Sequence, residues 1–313
     1  MVGATEYKIT IPTYREPAAE EMPMFAENRV HQRTSGNPYP NHIVLEVDRE
    51  HKEDKEYICI CLENEYLKIE ILPELGGRIY SAYDKTTGYD FFYKQHVIKP
   101  ALIGCLGSWI SGGLEFNWPF HHRASTFMPT DYYIERNDDG SVIVWLSEHD
   151  PIERMKGMVG IVLKPGEAKF ETRMKLCNRT SVTSSFLWWE NTAVPVNKHY
   201  QIFYPKDVSY VNFHYKRSVT TYPVATNALG VFNGIRYAGK TDISMHKNTV
   251  QPTSYFCAPS KYDFFGGFDH GKGCGVVHIA NHHTAPGKKF FADYIIFFCD
   301  CDCCCSGWGG DAN

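Results

Sequence analysis

Between Gly107 and Tyr133 the chain reads GSWISGGLEFNWPFHHRASTFMPTDYY. This stretch sets a carboxylate (Glu115), an amide (Asn117), two imidazoles (His121, His122) and a guanidinium (Arg123) among Trp109, Phe116, Trp118 and Phe120. A segment built only for a core would not carry so many hydrogen-bonding heads, and a solvated loop would not carry so many large rings. The mixture suits a sugar, whose C–H face stacks on an indole while its hydroxyls need convergent donors and acceptors. As extended chain, alternation puts Glu115, Asn117, His121 and Arg123 on one side and Phe116, Trp118, Phe120 and His122 on the other. The polar side is then the sugar-facing one, with Pro119 able to end the strand and reverse that parity. The competing structural reading makes Glu115 and Arg123 a buried bridge with each other.

A second carboxylate stands in SSFLWWENTAVPV, where Trp188 and Glu190 share a strand face. A ring wall beside Glu190 would raise its pKa and make it usable as an acid near neutrality. The structural alternative is a core strand whose Glu caps a neighbouring loop. Glycoside hydrolysis uses two carboxylates about 5 to 10 Å apart. Sugar epimerisation uses a base at the anomeric hydroxyl and an acid such as imidazole at the ring oxygen. The sequence supplies material for either. It nominates Glu115, His121 and Glu190 as catalytic, and Asn117, Trp118, His122, Arg123, Trp188, His282 and His283 as sugar contacts.

His278, His282 and His283 form a further cluster with Asp269 and His270. HIANHH follows a strand, GVVH, and strand spacing does not gather such ligands around an ion, so His282 and His283 read as sugar contacts and no metal is expected. The tail CDCDCCC (299–305) lacks the spaced ligand pairs of a metal module. Gly266 to Gly273 nearly spells a phosphate loop, but position 273 lacks the Ser or Thr that holds magnesium. No nucleotide fingerprint is present, and no cofactor is expected.

The elements that must carry these residues are strands. YICICLEN and YLKIEILP alternate on a two-residue period, Gly76-Gly77 and KTTG turn the chain, and RIYSAYD and YDFFYK follow. SVIVWLSEHD, MVGIVLKP, AKFETRMKLCN and SSFLWWENTAVPV continue at short spacing, with no helical apolar stripe anywhere. The N-terminal part offers TEYKITIPTY and HIVLEV as strands, a Pro-rich arm between them, and DREHKEDKE as a charged turn. An all-β, sandwich-like architecture follows.

Composition narrows the function classes. At 313 residues with a formal charge of −4, the chain has no basic excess, and nucleic acid is not expected as a partner. No apolar run approaches the roughly 20 residues that span a bilayer, so no membrane is expected. The start lacks a charged-then-apolar signal pattern, which points to the cytoplasm. Cys59, Cys61, Cys105, Cys177, Cys257 and Cys274 are scattered singly and read as buried thiols.

The run ILPELGGRIYSAYDKTTGYDFFYK (71–94) resembles the opening hairpin of galactose mutarotase-like, or aldose 1-epimerase-like, proteins. GGLEFNWPFHHRASTFMPTDY (112–132), SFLWWENTAVPVN (185–197) and YDFFGGFDHGKGCGVVHIANHHTAPGKK (262–289) resemble one bacterial domain-of-unknown-function family of that superfamily, whose members often carry tetratricopeptide repeats after the β-domain. The resemblance implies an antiparallel β-supersandwich with a carbohydrate cleft, acting as a glycoside hydrolase or sugar epimerase, or as a glycan-binding domain without catalysis. It implies a saccharide or oligosaccharide as the partner and leaves the reaction open. It divides the chain into lead-in strands and arm (1–56), the mutarotase-like domain (57–289) and a Cys-rich tail (290–313). The tail departs from the family, where a strand carrying a catalytic Glu is implied. It reads as a frameshifted or prematurely ended frame, foreign to the fold, which would leave the sandwich incomplete.

Overall fold

A computed structural model describes residues 1–15, 48–103, 107–119, 123, 125–150, 154–213, 219–226, 230–232, 235–237, 240–249, 254–291 and 296–300. HIVLEV, the Pro-rich arm, His121, His122, Cys105 and residues 301–313 lie outside them. Among the described residues the only helical pieces are the 3-10 turns Pro73–Leu75 and His246–Asn248, and no helix is long and apolar enough to cross a membrane. The chain packs as two compact units, Met1–Trp188 and Trp189–Asn313. No change of composition near residue 188 announces that division in the sequence.

The first unit is built on an antiparallel meander, β1 (Gly3–Tyr14), β2 (Lys52–Glu63), β3 (Leu67–Leu72) and β4 (Arg78–Asp84), with β5 (Tyr89–Asp90) on β4. The alternating Tyr57, Cys59 and Cys61 meet the apolar residues of β1 and β3 on one buried face. The charged run DREHKEDKE is not a simple turn: from Lys52 it is already strand, held by a ladder that pairs Tyr14 with Lys52 and Gly3 with Glu63. At this edge Lys8 pairs with Glu56 at 2.9 Å and Arg15 with Glu53 at 3.0 Å.

After the hairpin of β6 (Ala101–Ile103) and β7 (Gly107–Trp109), β8 (Leu114–Asn117) joins β4 through Ile79 and Leu114. A second sheet follows, β9 (Asp131–Arg136), β10 (Val142–His149), β11 (Met155–Leu163) and β12 (Phe170–Asn178), in the order β12-β11-β10-β9. Its inner strands bury Val142 to Leu146 and Val159 to Leu163, whereas β12 alternates at the rim. Cys177 is therefore exposed and Cys274 half-buried, unlike Cys59, Cys61 and Cys257, which are buried as expected. Asn64 ties the two sheets by donating to the carbonyls of Lys164 and Glu167, each at 2.8 Å.

The second unit pairs β13 (Trp189–Ala193), β14 (Tyr200–Phe203), β15 (Tyr210–Phe213), β16 (Val219–Thr221), β17 (Val224–Ala225), β18 (Gly230–Phe232), β19 (Ile235–Tyr237), β20 (Thr241–Asp242), β21 (Ser254–Cys257), β22 (Phe264–Asp269), β23 (Cys274–Ile279), β24 (Gly287–Phe291) and β25 (Ile296–Asp300). The main run is β13-β25-β24-β21-β15-β16, and a smaller sheet is ordered β14-β22-β23. Between them sits a core of Val194, Tyr200, Ile202, Val211, Tyr255, Phe265 and Phe290.

One expectation changes here. Residues 296–300, assigned to a tail foreign to the fold, are β25, paired with β13 on one side and β24 on the other. A strand flanked on both edges can be a continuous apolar run, so the lack of a period in this segment does not exclude it from a sheet. The near-phosphate-loop is a hairpin: Asp269 accepts the backbone N–H of Gly271 (2.9 Å) and Lys272 (3.1 Å), and this turn joins β22 to β23.

Candidate functional site

In the first unit several described residues of the polar stretch face inward. The strand β8 ends at Asn117, so the alternation expected through Arg123 does not extend past residue 117 as strand. Glu115, Asn117, Trp118 and Arg123 are all buried, which corrects the picture of an open trough at these four positions. Glu115 accepts from the Thr126 hydroxyl at 2.6 Å and from the Trp109 indole at 3.0 Å. Arg123 forms its ion pair with Glu148 at 2.8 Å, donates a second bond to the Gly76 carbonyl, and lies 4.3 Å from the Trp118 ring centroid. The Arg123 backbone N–H donates to Asn117 Oδ1 at 2.9 Å, which ties Arg123 to the end of β8.

Sequence reasoning missed two members of this lattice, Glu148 and Arg78. Arg78 is buried and donates to the carbonyls of Ile110 (2.7 Å) and Gly112 (2.9 Å). Burial pulls its pKa down to about 10, Glu115 acts against that and Arg123 adds to it, which leaves the guanidinium charged at neutral pH. The signal for Arg78 was present in Gly-Gly-Arg: both glycines have positive φ (+71° and +68°), so the following side chain is delivered from a tight turn into the interior.

The lattice does not satisfy every donor. Among the described residues Asn117 Nδ2, Trp118 Nε1 and Arg123 Nε are buried and find no acceptor. They lie beside a stack of rings, with Trp188 at 5.8 Å from Trp118 and 6.1 Å from Phe116.

The second unit contains a different constellation. Antiparallel register places Glu190 of β13 opposite Cys299 of β25, and Cys299 opposite Lys288 of β24. Residues directly opposite share a sheet face, so Glu190 and Lys288 lie on one face, two strands apart, about 10 Å between backbones. Phe290, two residues on from Lys288, fixes that face as the one turned to the core. Across from it His278, paired in register with Phe265 of β22, brings Nε2 to 3.6 Å from Glu190 Oε2. The two meet as an ion pair when the imidazole is protonated, at a separation too long for a hydrogen bond.

The turn after β23 carries the other histidines. His282 donates its backbone N–H to Asp263 at 2.8 Å and sets Nδ1 2.7 Å from the same carboxylate, while the His283 ring lies tilted against it, centroids 3.9 Å apart. These bonds from His282 hold the Asp263 carboxyl below the usual carboxylate range. Lys288 is buried, and its Nζ makes no hydrogen bond among the described residues. The burial of this lysine is not evident from composition alone. In GKKFF, alternation must point one of two lysines to the same side as a core phenylalanine, and that was the available signal. His270 bonds Gln201 at 2.7 Å in the β22–β23 turn, and no group of three metal-ligating side chains is gathered among the described residues.

Comparison with known proteins places the chain. The model of the domain-of-unknown-function family DUF5107 matches residues 35–295. The chain belongs to that family. This DUF5107 chain is similar in structure to a TPR-domain containing protein from Parabacteroides distasonis, with a TM-score of 0.77 at 22% identity over 95% of this chain and 50% of that one. It therefore spans half the length of that relative. It also resembles Slr1438 from Synechocystis, with a TM-score of 0.57 at 10% identity over 77% of this chain and 84% of that one. A "putative aldose 1-epimerase" from Klebsiella pneumoniae gives a TM-score of 0.54 at 10% identity over 95% and 83%. The DUF5107 fold is thus an antiparallel β-structure of the galactose mutarotase-like kind, as the hairpin and the three longer motifs implied.

Proposed function

We propose that this chain acts on a saccharide by Glu/His acid–base chemistry, with Glu190 and His278 as the reacting pair. The observation that carries this reading is the approach of the His278 imidazole to the Glu190 carboxylate at 3.6 Å, on the core side of the second unit. A carboxylate and an imidazole so placed can act on one sugar, each giving or taking a proton at a different oxygen, as ring opening or glycosidic cleavage requires. His282 and His283, on the turn that leads to Lys288, are the sugar contacts of this centre.

The first unit supports the same substrate class. Its three buried donors without acceptors, on Asn117, Trp118 and Arg123, sit beside the Trp118–Trp188 stack. Hydroxyl and ring oxygens are the acceptors such donors fit, and indole faces are what a pyranose covers. Glu115, bonded to Thr126 and Trp109, serves this reading as a positioning group, while His121, nominated by the sequence as catalytic, and His122, nominated as a sugar contact, lie outside the described residues.

A second reading, saccharide binding without turnover, is favoured by the anchoring of Glu115. The experiment that separates them is a panel of free aldoses and aryl glycosides, followed by polarimetry and product release alongside calorimetric binding. Turnover of one member supports the enzyme; tight binding with no turnover of any member overturns it in favour of the binding domain. No interaction with any member overturns both.

A further inference from the structure

A buried ammonium that makes no hydrogen bond is costly, because desolvation is then uncompensated by a close partner. Lys288 is in that position: 3% exposed, on a core-facing strand position, with no acceptor at Nζ among the described residues. The charged groups around it are carboxylates engaged elsewhere. Asp263 is bonded by His282, and Asp207 by the Ser260 hydroxyl and the Lys261 backbone N–H, each at 2.8 Å. Both lie close enough to feel the lysine charge without bonding it. On its own sheet face Lys288 is two strands from Glu190, with the backbone of Cys299 between them, and His278 approaches Glu190 from the opposing sheet.

We propose that Lys288 is the anion-binding residue of the Glu190–His278 centre, and that the saccharide this centre takes carries a carboxylate or phosphate group. This rests on the saccharide reading above and adds the charge of its substrate. The two strand positions are about 10 Å apart, the reach of one sugar with its anionic substituent at Lys288 and its reacting carbon at Glu190. A neutral sugar would offer the lysine a hydroxyl acceptor but no counter-charge. A carboxylate or phosphate oxygen would give it a charge-assisted bond in a site shielded from water.

The test is calorimetric titration of the wild-type chain, Lys288→Met and Lys288→Arg with inorganic phosphate, with acetate, and with a panel of aldoses alongside their uronates and 6-phosphates. Urea melts confirm that each variant is folded. The expected result is that phosphate or acetate alone binds wild type, and that one charged saccharide binds about tenfold or more tightly than its neutral parent. The uronate and 6-phosphate arms tell which anion is meant. In Lys288→Met the charged-to-neutral ratio falls to about one, and Lys288→Arg restores part of it. Neutral and charged sugars binding alike, or a preference that survives in Lys288→Met, overturns the inference and leaves the saccharide reading standing. Binding of inorganic anions with no saccharide bound at all overturns both.

Discussion

Nε2 of His278 stands 3.6 Å from Oε2 of Glu190, reached from two different sheets of the second unit. His278 is held on its other side by an edge-on contact with Phe265, ring centroids 5.6 Å apart. The phenylalanine fixes the imidazole plane, and the carboxylate is fixed by a strand paired along its length with β25. His278→Gln removes the titratable nitrogen and keeps a polar side chain at that position. On whichever saccharide is turned over, kcat should fall by about a hundredfold, the scale of a lost general acid or base, with KM little changed. Steady-state kinetics on the variant checks this, and an unchanged kcat would remove His278 from the chemistry.

Arg123 should matter to folding. Its guanidinium bonds Glu148 and the Gly76 carbonyl and covers the Trp118 ring. Arg123→Met leaves Glu148 without its partner, and breaking a buried pair from one side costs about 3–5 kcal/mol. Because Glu148 is partly exposed, the lower end of that range is expected. Urea unfolding should show a lower midpoint at the same slope.

Gly157 reports on the same wall. A Cβ at this position would fall inside the Trp118 indole. Gly157→Ala must therefore displace that ring, at a cost of about 1–3 kcal/mol for an overpacked site. A drop in the urea midpoint together with a shift in tryptophan emission would show it; an unperturbed spectrum would place the ring elsewhere.

Much of this was legible in the sequence, and the rest was hidden for identifiable reasons. The period-two runs of β2 and β3, the strand read at MVGIVLKP (β11) and the Gly76-Gly77 turn appear in the structure as strands and turn. So does the absence of long helices among the described residues. Alternation failed at Asn117, because β8 ends there and Arg123 is tied back to Asn117 by its backbone N–H. Arg123 reads as a ligand contact for the same reason that it makes a good internal bridge: both uses need a charged group beside rings. Lys288 escaped notice because a lysine beside another lysine reads as surface. The strand at 296–300 escaped because a doubly paired strand has no period to detect.

Glu70 gives a pH signature in the first unit. Burial pushes its pKa up, but bonds from Lys94 (2.6 Å), Tyr7 (2.6 Å) and Lys68 (3.0 Å) outweigh that and bring it down to about 2. A carboxylate depressed in the folded state stabilises fully above its unfolded pKa, near 4.5, and loses that contribution as pH falls from there through about 2. Both lysines are more than a third exposed, so solvent screening reduces the contribution to about 1–2 kcal/mol. The wild-type urea midpoint should therefore fall between pH 5 and about pH 2 by more than that of Glu70→Gln. Parallel pH dependences in the two proteins would contradict the assignment.

The account turns on Glu190 as a group that reacts. Its most direct test is Glu190→Gln, compared with wild type for both saccharide binding and turnover on the same substrate. The account predicts that binding is kept within about threefold while kcat falls by about a hundredfold or more. Full turnover in the variant, or a loss of affinity that accounts for the whole effect, would contradict it.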